Sequence, residues 1–150
     1  MGRLTTILVA AGAIGLILVL VVFAMNYGAA PATVPTHFGP SGAPNAWGPK
    51  STFLLFPILG VVFFAFAVLA MTLVAAISAA KIPPALPALT GLVFVEVIWV
   101  LAFTEMGSFA VALGKTAGLS NWIVIGIGAV MLTALAIVIN AIAFALRNRS

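Results

Sequence analysis

The chain has 150 residues, of which 65% are hydrophobic and only 5% charged, with a formal net charge of +4 and no cysteine. Such a composition cannot clothe a water-soluble globule, and it leaves no disulfide or thiolate metal site in any compartment. The six basic residues are scattered, without the basic stripe and interleaved aromatics of a nucleic-acid-binding surface, so anionic lipid headgroups are the expected counterpart of the charge.

A bilayer core of about 30 Å needs roughly 20 apolar residues of helix. Four runs qualify, at about 4 to 25, 53 to 80, 87 to 111 and 122 to 146, with turn residues between them. The runs are continuously apolar without a period of two, which excludes a membrane β-barrel. The expected fold is all-α, a single four-helix transmembrane domain with an ordered outer loop over 26–52.

The first run follows Arg3 and resembles a secretory signal, but it is long for one. Pro31 after Ala29-Ala30 is a poor start for a mature chain, so a retained anchor is expected. Arg3, Lys81, Arg147 and Arg149 fall at one set of helix ends, Lys50 and Lys115 at the other. The positive-inside rule then puts both termini in the cytoplasm and the 26–52 loop outside, in the cytoplasmic (inner) membrane of a bacterium. Lys81 to Pro87 reads as a stiff proline turn, and Gly114 to Asn121 as a flexible connector with Ser120 or Asn121 capping the fourth helix. Ala11-x-x-x-Gly15, Ala75-x-x-x-Ala79 and Ala76-x-x-x-Ala80 allow close helix approach, within one chain or in a homo-oligomer.

The loop holds the chain's only histidine, in Pro35-Thr36-His37-Phe38, then Gly42-Ala43-Pro44-Asn45-Ala46-Trp47-Gly48-Pro49-Lys50. Its prolines lower the entropy lost on ordering and its aromatics offer area to bury, so it is expected to cap the bundle, with Trp47 at least partly buried and Lys50 at the head of the second helix. On Pro35, His37, Phe38, Gly42, Pro44, Asn45, Trp47, Gly48, Pro49 and Lys50 the chain resembles the bacterial SdpI-like membrane family. That resemblance implies a multi-pass architecture and a role like that of the family's name-giver, an immunity and signalling protein against a secreted peptide toxin.

Glu96 and Glu105 in the third run are the only acids. A carboxylate near mid-membrane is costly, so Glu96 must be neutral, paired or turned to a wet interior, with Asn140 as the candidate partner. Glu96, Trp99 and Phe103 share a helix face. Glu105, nine residues on, points about half a turn away and is expected nearer the outer surface, facing Lys50, Lys115 or His37.

Enzyme chemistry finds little material. One His and two Glu cannot supply a zinc set, no serine sits in a nucleophile elbow, and no phosphate or dinucleotide loop is present, so no cofactor is expected. Two readings remain. One is a non-enzymatic binding or accessory protein whose loop, through His37, Phe38, Asn45, Trp47 and Lys50, recognises a peptide, a lipid or a partner membrane protein. The other is a small oligomeric proton-linked carrier or channel using Glu96 and His37, with Glu105 at the entrance.

Overall fold

The computed structural model describes residues 3–77, 82–83 and 85–148. Four helices among them are long and apolar enough to cross a membrane: α1 (Arg3–Asn26), α2 (Leu55–Ala76), α3 (Leu86–Ala112) and α4 (Trp122–Arg147). The chain is a multi-pass membrane protein. Each helix leaves most of its surface outward, as lipid-facing helices do, because lipid solvates leucine as well as a protein core would.

α3 is the hub of the bundle, packing against α1, α2 and α4. Its seam of Gly91, Ile98, Ala102, Glu105 and Phe109 is buried at the spacing of one helix face. Gly15 of α1 lets Ile98 approach so closely that a Cβ there would lie 2.8 Å from Ile98 Cγ2. Beside it, Trp99 Nε1 donates to the Ala11 carbonyl at 3.2 Å, tying α3 to α1. The expected Ala11/Gly15 contact is therefore within the chain. Residues 78–81, and with them Lys81, Ala79 and Ala80, lie outside the described residues, as does Arg149.

α2 differs from expectation at both ends. Lys50–Leu54 form a 3-10 turn, so α2 begins at Leu55, and Ile77 after it is extended at φ −79°, ψ 134°. Pro57 falls in the first turn, where a missing N–H costs no intrahelical bond. α3 carries Pro87 in the equivalent place. At the head of α4, Asn121 makes no side-chain cap. Ser120 Oγ instead takes the Trp122 N–H at 3.4 Å.

The segment between α1 and α2 is not purely loop. Thr33–Phe38 (β1) and Pro44–Pro49 (β2) form an antiparallel hairpin, an addition to the all-α reading. Its tip turns through Gly42 at φ +79°, a conformation that side chains resist. The tip is fixed to the α3–α4 connector: the Leu119 N–H donates to the Gly42 carbonyl at 2.8 Å. Space there is so short that a Cβ on Gly118 would lie 2.6 Å from that carbonyl. The connector expected to be flexible is thus tied down at its far end. Beneath the hairpin, Val34, Phe53 and Phe109 join Val22 and Ala30 in a buried cluster, with Phe53 and Phe109 edge-to-face at 4.5 Å.

Candidate functional site

Polar side chains are few, and the structure sorts them into three places. The first is the outward face of the hairpin. His37 Nδ1 donates to Asn45 Oδ1 at 2.5 Å, a cross-strand pair where the ladder is irregular on both sides of His37. Both residues are exposed, and Trp47, two residues along β2 from Asn45 and opposite Pro35, is 55% exposed. Trp47 is thus only partly buried, with somewhat less than half of its surface covered, because Val34 and Phe53 fill the space under the hairpin. Phe38 is half-buried between hairpin and helices. Lys50 opens the turn into α2, where its Nζ lies 4.6 Å from the Tyr27 ring centroid and donates to the Gly28 carbonyl at 3.4 Å. This fastens the base of the hairpin to the end of α1.

The second place is a groove of about 240 Å³ between α3 and α4, lined by Glu96, Trp99, Phe103, Trp122, Gly126 and Ala129 among others. Trp99 and Phe103 lie against each other with centroids 5.8 Å apart, so the shared face seen in the sequence is real. Thr133 Oγ1 donates to Glu96 Oε1 at 3.0 Å, while Glu96 Oε2 has no hydrogen-bond partner among the described residues. Asn140 is not the partner. Its Nδ2 donates to the Ala136 carbonyl at 2.9 Å, one turn back on its own helix. It lies seven residues beyond Thr133, about 10 Å further along the axis, too far for antiparallel helices to bring it level with Glu96.

Glu105 is the third. It is 0% exposed, on the buried seam of α3, and neither oxygen has a hydrogen-bond partner among the described residues. The expected interfacial Glu105 facing Lys50, Lys115 or His37 is overturned, since the half-turn offset from Glu96 carries it into the bundle. Glu96 is the acid nearer the periphery. No group of three or more His, Cys, Asp or Glu among the described residues could hold a metal ion.

A family profile described as "Domain of unknown function (DUF1648)" matches residues 14–61, from the middle of α1 through the hairpin into the first turns of α2. No curated protein and no solved structure is significantly similar to the chain.

Proposed function

We propose that this chain is a non-enzymatic binding or accessory protein of a bacterial inner membrane, whose hairpin recognises a peptide or a partner membrane protein outside the cytoplasm. The observation that carries the reading is a surface-exposed Trp47 on the same hairpin as the exposed His37–Asn45 pair, a hairpin fastened at its tip by Leu119 and at its base by Lys50. A rigid, partly apolar face with a few directed polar groups binds at low entropic cost. The immunity-like role implied by the SdpI-like resemblance fits this arrangement, and the matched domain spans the same hairpin. Both strands lie at the end of the bundle that carries Lys50 and Lys115, the side the positive-inside rule assigns to the exterior.

A photo-crosslinking residue at position 47, in native membranes, should form a discrete adduct that His37→Ala or Asn45→Ala abolishes. The same residue at Met131, lipid-facing on α4, should give only lipid. Identical adducts from both positions would overturn the reading. Glu96→Gln separates it from a proton-linked carrier: a hairpin binder keeps its function, a carrier loses it.

A further inference from the structure

The α3–α4 groove plays no part in that reading, and it has a chemistry of its own. Its walls are apolar and aromatic, and among the described residues Glu96 is the single ionisable one lining it, with no basic side chain there. Trp122 is 75% exposed and Phe103 49% exposed at its rim, so two aromatic faces are presented to whatever enters from the acyl chains. From this geometry we infer that the groove binds a lipophilic organic monocation.

Three features select that occupant. Aromatic ring faces carry negative quadrupole potential and attract a cation while giving an anion nothing, and the attraction grows once water is excluded. Glu96 adds the one formal charge. Thr133 holds its Oε1, and Oε2 has no hydrogen-bond partner among the described residues, so the carboxyl keeps an unpaired edge at a groove that Glu96 lines, close enough to act on a cation seated there. A cation there would give a carboxylate at this depth the counter-charge that an intramembrane acid needs. Depth supplies the third selection. Glu96 lies mid-helix in α3, so a solute must first partition into hydrocarbon to reach it, which delocalised or aromatic-substituted cations do and hydrated ammonium ions do not. A groove of about 240 Å³ seats one aromatic arm of such a molecule, with the remainder left among lipid chains.

The test uses the full chain in detergent micelles and equilibrium dialysis of two radiolabelled probes of matched shape and opposite charge, tetraphenylphosphonium and tetraphenylborate. Saturable binding of the cation alone is expected. Glu96→Gln should weaken it about tenfold or more, and Trp122→Ala, at a side chain too exposed to matter for folding, by about threefold to tenfold. Met131→Ala, on an exposed part of α4 outside the groove, should leave it unchanged. Equal uptake of both probes, or cation binding indifferent to both Glu96→Gln and Trp122→Ala, would mean partition into the micelle only and overturn the proposal. Hairpin variants such as His37→Ala should not move this readout, so its failure and the failure of the hairpin reading are separable.

Discussion

Glu105 offers the sharpest test of how the bundle is held together. It is fully buried on the α3 seam between Ala102 and Phe109, with two oxygens lacking hydrogen bonds among the described residues. A buried polar group without a partner costs about 1–3 kcal/mol relative to an apolar group of the same shape. Glu105→Met keeps the length and flexibility of the side chain and removes that cost, so stability should rise by about 1–3 kcal/mol. At about 2–4 °C per kcal/mol for a chain of this size, the midpoint of thermal unfolding in detergent should rise by about 2–12 °C. Glu105→Gln keeps two buried polar atoms and adds donors to be satisfied, so it should change stability by less than about 1 kcal/mol in either direction. Circular dichroism melts of the three proteins at one detergent concentration decide the matter. A fall of more than about 2 °C in Glu105→Met would refute the reasoning, because it would mean that the carboxyl has a stabilising partner in the folded assembly. If the methionine variant is more stable and yet loses function in cells, Glu105 is a group kept for activity at the expense of stability.

Close packing provides two further tests. Gly118→Ala places a Cβ 2.6 Å from the Gly42 carbonyl, and backbone on both sides cannot yield as a side chain would. The hairpin tip should detach, seen as faster amide exchange over 39–43, with a loss of about 1–3 kcal/mol. Gly15→Val should push α1 from Ile98 and break the Trp99–Ala11 hydrogen bond, lowering stability by a similar amount of about 1–3 kcal/mol and shifting Trp99 fluorescence. For orientation, Ser41→Cys in the exposed tip should react with an impermeant maleimide in intact cells, and labelling only after lysis would reverse the assigned topology.

The helices were legible because membrane insertion asks a coarse question of the sequence, namely whether about 20 consecutive residues are apolar, and the answer survives errors of two or three residues at each end. Ends of helices were less so. Ile77 is as apolar as the residues before it, and nothing in composition marks the change to an extended backbone after Ala76. The hairpin was missed for a different reason. Pro35, Pro44 and Pro49 all argue against strand, yet each fits because a two-stranded ribbon is all edge and needs few of its N–H groups. Gly39 to Ala43, with glycine at the left-handed position, was the signal that could have found it.

The two acids show where helical periodicity stops being informative. Spacing alone fixed that Glu96 and Glu105 face different ways, and the structure puts one against α4 and the other inside the bundle. Which direction is interior depends on where α1 lies, and that is set by a glycine at position 15 and an indole hydrogen bond at Trp99, neither of which is visible in the pattern of α3 itself. Partner choice fails in the same way. Asn140 was the better hydrogen-bonding side chain on chemistry, but an antiparallel pair brings together residues at equal depth, and Thr133 stands level with Glu96 while Asn140 bonds its own helix. In a bundle with so few polar groups, position along the membrane normal outranks donor strength, because a helix cannot shift by two turns to make one hydrogen bond without moving every apolar contact on its face. The same reasoning applies to Glu105: with no polar side chain hydrogen-bonded to it among the described residues, a partner would have to come from a change of depth or from an oligomeric contact, and the methionine substitution reads out whether one exists.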